Sequence, residues 1–497
     1  MKILLVYPNH AGMNMLPPAI AIFSSLLKER GHKVDLFDTT SWTVPGESNF
    51  DSDKEKEKRL TARPFDASKL QQNIHTEDVS EAFRQKVREF NPGLIAFSVT
   101  EDLFPIAKYL LEALGHCGIP TIMGGVFPTF APEMCMSLEG VDMICIGEGE
   151  DALVRLAEQI EHGRDYSDIP NLWIKTEKGI IRNPLGPPAD IEKNPLMDFS
   201  LFEDGRLYRP MQGRIWRMLP VETHRGCPYQ CTYCNSPSQG QLYRNETGCR
   251  FFRKKSFQTI HRELQYYKDD IKAEAFYFWA DTFMAYSEKE FAEFCDMYQD
   301  IRLPFWCQAR PEEINEHRIR KLMDLGLFRM GIGVEHGNEE FRAKILKRKM
   351  SNTAIINNLK ILNRCDLKFS VNNIIGFPTE TRELAMDTIK LNRSIDSDSA
   401  NAYSFSPFHG TPLRKMAEEL GFCDPDLIAR SVMRPTLLNM PQFPPEQIEG
   451  LRRCFILYVK MPEERWPEIA KAEKLTPEGD KLWQSLRDEC AEKYMYV

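Results

Sequence analysis

From residue 218 onward the chain repeats one unit six times: a short β-rich run, in turn MLPVET, AFYFWA, FWCQA, RMGIGVE, FSVNNIIGF and AYSFSPF, followed by a helical stretch. Strands separated by helices have to lie parallel, because each crossover returns the chain to the same edge. Six such units predict a partial (β/α)6 barrel over residues 215–415, whose chemistry belongs at the C-terminal ends of the strands.

The first 165 residues show the same alternation in a different size. Apolar runs at KILLVY, 33–37, 93–99, 120–123 and 143–146 alternate with helical spacing at 19–30, 79–90, 104–116 and 149–161. This predicts an α/β doubly wound, Rossmann-like domain over 1–165. Residues 42–72, with DSDKEKEKR, read as an exposed insertion. A Pro-, Asp- and Gly-rich linker covers 166–214, in which NLWIK and GIIRN pair as a hairpin across residues 176–179. After about 415 the strand signal ends, and 416–497 read as a helical domain with helices at 447–459 and 466–474.

A chain of 497 residues is long enough for two or three domains. Its 64 Lys and Arg against 72 Asp and Glu leave a charge of -8, a poor match to nucleic acid. The apolar stretch ILLVY stops at Pro8, too short for a signal peptide or a membrane span. Thirteen cysteines without a framework spacing suit a reducing, cytoplasmic setting, where clustered thiols are metal ligands.

Three of them cluster. In HRGCPYQCTYCNSP, Cys227, Cys231 and Cys234 fall at i, i+4 and i+7, so one loop can present three sulfurs together. A four-iron cluster normally takes four thiolates, and three leave one iron open for a ligand. The competing reading is a closed zinc site completed by Cys249. Cys295, Cys307, Cys365, Cys423, Cys454 and Cys490 read as small buried residues.

CPYQCTYC resembles the CxxxCxxC signature of radical S-adenosylmethionine (SAM) enzymes. The resemblance implies a [4Fe–4S] cluster on Cys227, Cys231 and Cys234 whose open iron chelates SAM and cleaves it to a 5′-deoxyadenosyl radical, with an electron donor such as flavodoxin or ferredoxin. It places Tyr233 against the adenine and offers Asp281 in FYFWADTF, Glu335 in GIGVEHG, and Gly376 with Glu380 in IIGFPTE as SAM contacts. Any one carboxylate after a strand reads equally well as a helix cap. Arg253 reads as part of a helix-capping loop or as a partner of the SAM carboxylate, and Arg310 as pointing into the barrel mouth.

The loops that end the strands of the N-terminal domain, with Ser98 and Thr100, Gly124 and Gly125, and Gly147 and Glu148, together with PP-x-x-I in the first loop, resemble the cobalamin-binding domain of the B12-dependent branch. Glu148 and Glu150 read equally as caps for the next helix. The DxHxxG signature is absent, and His10 lacks the Asp two residues before it, so the resemblance implies cobalt without a histidine ligand. The implied activity is cobalamin-dependent methylation of an unactivated carbon. A radical cyclisation or rearrangement without methyl transfer is the alternative, and a non-catalytic cluster- or zinc-holding sensor is a third reading. The substrate class stays open among small molecule, lipid and peptide, and no catalytic residue is assigned. Phe443, Phe455, Tyr458 and Trp466 in the tail suit core packing better than a pocket.

Overall fold

A computed structural model describes residues 1–47, 53–70 and 74–495. β1 (Lys2–Tyr7), β2 (Lys33–Asp38), β3 (Leu94–Ser98), β4 (Thr121–Gly124) and β5 (Met143–Cys145) form a parallel sheet in the order β2-β1-β3-β4-β5. Ile3, Leu4, Leu5 and Val6 are all buried, as expected of a strand covered on both faces by helices. The strand order reverses between β1 and β3, and a crevice opens there at the C-terminal strand ends.

The stretch read as a linker is structured. β6 (Leu172–Thr176) and β7 (Gly179–Arg182) form the expected hairpin, and β6 pairs antiparallel with β5, so the hairpin extends the first sheet. β8 (Tyr208–Met211) pairs antiparallel with β9 (Arg214–Val221) and opens the second sheet. Unsatisfied backbone groups at two sheet edges explain why Pro-rich sequence still forms strands.

A small ladder joins β10 (His224–Arg225) to β11 (Arg253–Lys254). β12 (Ala275–Phe278), β13 (Phe305–Ala309), β14 (Leu327–Glu335), β15 (Lys368–Ile375) and β16 (Ser399–Ser404) then continue from β9 as six parallel strands. They curl into a half-barrel. Phe276 and Phe278 face outward into an aromatic layer with Phe283, Phe294, Tyr298 and Phe305. The helices behind start sharply: Ser287 and Glu290 form a capping box for Glu288–Tyr298, and the Ser256 hydroxyl accepts from the Thr259 amide at the start of Phe257–Asp269.

After β16 the described residues are helical or irregular. The helix Pro445–Lys460 lies against β16 and buries Phe455 and Tyr458, while Phe443 lies just before it at 0 % exposure. Trp466 packs edge-on to Tyr458 at 5.5 Å. These aromatics form a core with Phe377 and Phe405.

The insertion expected to be exposed is packed where it is described. After the short helix Asp53–Lys58, Leu60 is buried in the core of the C-terminal helices, and Arg59 donates to the Met433 carbonyl at 3.2 Å. Charge in the sequence hid this, because the inward-facing Trp42, Val44, Leu60, Phe65 and Leu70 stand scattered among charged and polar residues. Residues 48–52 and 71–73 of that insertion lie outside the described residues. Among the described residues no helix is long and apolar enough to cross a membrane.

Candidate functional site

The C-terminal ends of the first sheet face the mouth of the half-barrel across a cavity of about 810 Å³. Ser98, Thr100, Gly124, Gly125, Gly147 and Glu148 line one wall, and Tyr233, Cys234 and Asp281 line the other. All six residues of the first wall were picked out in the sequence by their place after a strand. At Gly125 the backbone takes φ +120°, and a Cβ there would sit 2.4 Å from the Val99 carbonyl oxygen. At Gly147, with φ +77°, a Cβ would sit 2.4 Å from the Tyr243 hydroxyl. Only glycine fits either place. At these glycines the wall presents bare backbone among apolar side chains, which lets a ligand approach the chain closely there. His10 lies off this lining, buried between Asp102 and Glu47, each 3.7 Å away.

On the opposite wall, the cysteine loop runs from β10 to the helix Asn235–Thr247, with Cys234 at its N-cap. Cys227, Cys231 and Cys234 are partly exposed, and the Cys234 amide donates to the Cys231 carbonyl at 3.4 Å, closing the loop. Burial, reinforced by the charge of Asp281, pushes the Cys227 and Cys234 thiols up to about 12. Thiolates at such positions need a cation, and iron supplies one. Arg310 donates to Cys231 Sγ at 3.4 Å while stacking on Tyr229 at 3.6 Å. Cys249 donates instead to the Thr247 carbonyl at 3.6 Å. Among the described residues no three His, Cys, Asp or Glu side chains converge on a single ion. A cubane takes its thiolates on separate irons, so the donor set fits it better than zinc.

Two of the SAM candidates meet through a residue that sequence reasoning missed. Arg348 donates to the Tyr233 hydroxyl and to Glu335 Oε1, both at 3.1 Å, and to the Gly333 carbonyl at 2.6 Å. Glu335 sits at φ +72° where β14 slips register against β15, which turns its carboxylate toward Arg348. Loss of water pushes the Glu335 carboxyl above its usual range even though Arg348 opposes the shift. Arg348 follows the short helix Glu339–Lys344 in the run LKRKM, which carries no local sign of a site. Asp281 accepts from the Ser236 hydroxyl at 2.5 Å and stays exposed to the cavity.

Gly376 and Glu380 brace a turn. Glu380 is fully buried, accepts from the Gly376 and Phe377 amides at 2.6 and 3.0 Å, and pairs with His336 at 3.0 Å. Gly376, at φ +90°, is backed by Ile448. Neither residue lines the cavity.

Residues 221–391 match the radical SAM superfamily, and residues 60–157 match the B12 binding domain. The chain is a radical SAM enzyme with a B12-binding domain. The radical SAM match implies a [4Fe–4S] cluster and SAM, and the B12-binding match implies cobalamin. The enzyme is 25% identical over 76% of its length to an uncharacterized methyltransferase of Pyrococcus horikoshii, covering 81% of that protein. It is also 25% identical over 70% of its length to the anaerobic magnesium-protoporphyrin IX monomethyl ester cyclase of Rubrivivax gelatinosus, and spans 62% of the cyclase. In fold it resembles the radical SAM methyltransferase TsrM of Kitasatospora setae, solved with cobalamin and a [4Fe–4S] cluster bound, at a TM-score of 0.66 and 14% identity over 98% of this chain and 99% of that one.

In the radical SAM enzyme the two walls are tied together at Glu148. Its Oε1 accepts from Arg225 Nη1 at 2.7 Å and Arg253 Nη2 at 2.6 Å, its Oε2 accepts from the Ala189 amide at 2.7 Å, and its own amide donates to the Tyr243 hydroxyl at 2.7 Å. Arg225 also donates to Glu150 at 2.6 Å and to Glu222 at 2.9 Å. The expectations for Glu148 as a helix cap and for Arg253 as a SAM partner give way to this cluster, because each already has an oppositely charged neighbour across the domain boundary. Arg225 precedes Cys227 by two positions in the sequence, and Tyr243 lies on the helix that Cys234 caps. A second link joins Glu101 to the barrel end, where it accepts from the His409 amide and the Ala429 amide, both at 2.7 Å. Neither partner could be read from sequence, since they lie hundreds of positions from Glu101 in the chain.

Proposed function

We propose that the enzyme transfers a methyl group to an unactivated carbon, with Cys227, Cys231 and Cys234 holding the cluster and the wall from Ser98 to Glu148 holding cobalamin. The observation that carries this reading is the shared cavity, where the glycine wall and Cys234 with Asp281 face one volume of about 810 Å³. When bound, the cluster and SAM supply a carbon-centred radical and cobalamin supplies the methyl group. Gly124, Gly125 and Gly147 let a corrin ring approach the backbone of the first wall. Tyr233 and Glu335, oriented by Arg348, position SAM, and Asp281 offers an acceptor from the strand end beside Cys234. Arg310 stabilises negative charge at Cys231. The apolar lining from Met13, Met15, Leu16 and Phe23 excludes water from the reaction volume.

The resemblance to the Pyrococcus horikoshii methyltransferase, which spans 81% of that protein, supports methyl transfer over the ring closure named for the Rubrivivax gelatinosus relative. Product stoichiometry tests the choice. Methyl transfer forms S-adenosylhomocysteine alongside 5′-deoxyadenosine in turnover, and ring closure or rearrangement forms 5′-deoxyadenosine without S-adenosylhomocysteine. Cobalamin bound per chain after anaerobic reconstitution comes first: near one equivalent supports the reading, and none with SAM still cleaved removes it.

A further inference from the structure

The cysteine loop has two open sides. Cys234 lines the large cavity, whereas Cys227 lines a separate surface cavity of about 140 Å³ that neither Cys231 nor Cys234 lines. One wall of this second cavity is a face of the helix Asn235–Thr247, since Pro237, Gly240, Gln241 and Arg244 recur at helical spacing and all line it. That face is uncovered. Tyr243 is the buried residue of the helix, and a Cβ at Gly240 would meet nothing within 4 Å. Arg250 lines the same cavity, its guanidinium 5.3 Å from the Phe252 ring.

Charge sets this face apart from the basic segment beside it. Arg253 pairs with Glu148, Lys254 with Glu290 and Lys255 with Glu263. Arg244 and Arg250 are exposed and have no carboxylate partner among the described residues, and no Asp or Glu among them lines the cavity. The chain as a whole carries a charge of -8, so an acidic protein is repelled by most of the surface and drawn to this part of it.

Cleaving SAM consumes one electron, which breaks the sulfonium–carbon bond to leave methionine and the 5′-deoxyadenosyl radical. The cluster gives that electron and has to regain it from outside the chain. SAM and cobalamin occupy the large cavity in the proposed function, which leaves the Cys227 side for the electron to enter. We infer that the helix face beside Cys227 is the docking surface for an acidic one-electron carrier protein, whose carboxylates pair with Arg244 and Arg250. This rests on the radical SAM reading of the barrel. The carrier loses one electron, the cluster gains it, and no atom changes hands. Guanidinium forks suit carboxylates on such a partner, and the open surface at Gly240 admits its body.

The test titrates the full chain carrying its cluster with two acidic carriers, oxidised flavodoxin and a plant-type ferredoxin, in a calorimeter at low and high salt. The wild type binds at least one of them, less tightly as salt rises. Arg244→Glu with Arg250→Glu weakens that binding about tenfold or more, and the double lysine variant keeps most of it. Gly240→Trp, which adds bulk on the open face without charge, also weakens it. Cluster bleaching by the reduced carrier slows in the same order, while bleaching by photoreduced deazaflavin keeps the wild-type rate at unchanged iron content. Failure of the wild type to bind either carrier, wild-type affinity in the double glutamate variant, or equal slowing with deazaflavin overturns the inference. Turnover that forms no S-adenosylhomocysteine sinks the methyl-transfer reading and leaves the carrier titration just as readable.

Discussion

On the N-terminal wall of the cavity the chain presents backbone, at Gly124, Gly125 and Gly147, with small hydroxyl side chains between. On the barrel wall it presents side chains fixed by charge: Arg310 on Cys231, Arg348 between Tyr233 and Glu335, and Ser236 on Asp281. One wall recognises by shape and should tolerate any change that adds no bulk. The other recognises by donor chemistry and should respond to single atoms. Glu148 belongs to both, placed by the first wall and held by three groups of the second.

The largest effect separating the walls is expected at Cys234. Cys234→Ala should abolish cluster absorbance and lower SAM cleavage by about a thousandfold or more, while hydroxocobalamin still binds at the other wall. Loss of both cofactors together would break the division. Gly125→Val is the converse: a Cβ 2.4 Å from the Val99 oxygen should cut cobalamin retention on gel filtration about a hundredfold with iron content unchanged, at about 1–3 kcal/mol of stability. Glu148→Gln should act on both walls, leaving Arg225 and Arg253 underpaired at a cost of about 3 kcal/mol in denaturant unfolding. Unfolding in two separate transitions in that variant would show that the cluster is the chief tie between the domains.

Arg348→Met should weaken SAM binding about tenfold in equilibrium dialysis, with Arg348→Lys in between, because an ammonium cannot reach Tyr233, Glu335 and Gly333 together. The smallest effect concerns pH. Burial alone would raise the Glu222 carboxyl, but Arg225 and Lys255 outweigh it and hold it below the usual range. Its stabilisation is therefore present above the ordinary carboxylate value and is lost as pH falls through the depressed one. Between about pH 5 and pH 3 the wild type should lose more stability than Glu222→Gln, as measured by unfolding at each pH. Parallel curves would remove Glu222 from the ion cluster.

The strands of both sheets were legible because period and composition are local: KILLVY and AFYFWA each carry their own burial pattern. The cavity loops were legible for a related reason, since ligands of α/β folds collect at strand ends. What failed was pairing. Glu148 and Arg253 were each read in isolation and proved to be partners, and Glu380, read as a SAM contact, turned inward to brace its own turn. Arg348 had no signal at all, because LKRKM looks like any exposed charge run.

Sequence by itself determined the two α/β layers, the helical tail and the cysteine triplet, because each depends on neighbours within a few turns or one loop. Only the tertiary structure decided which charges meet, that residues 166–214 extend two sheets, and that Leu60 packs under the C-terminal helices. The physical reason is that an ion pair or an edge strand is completed by groups distant in the chain. No local pattern can encode the identity of those groups.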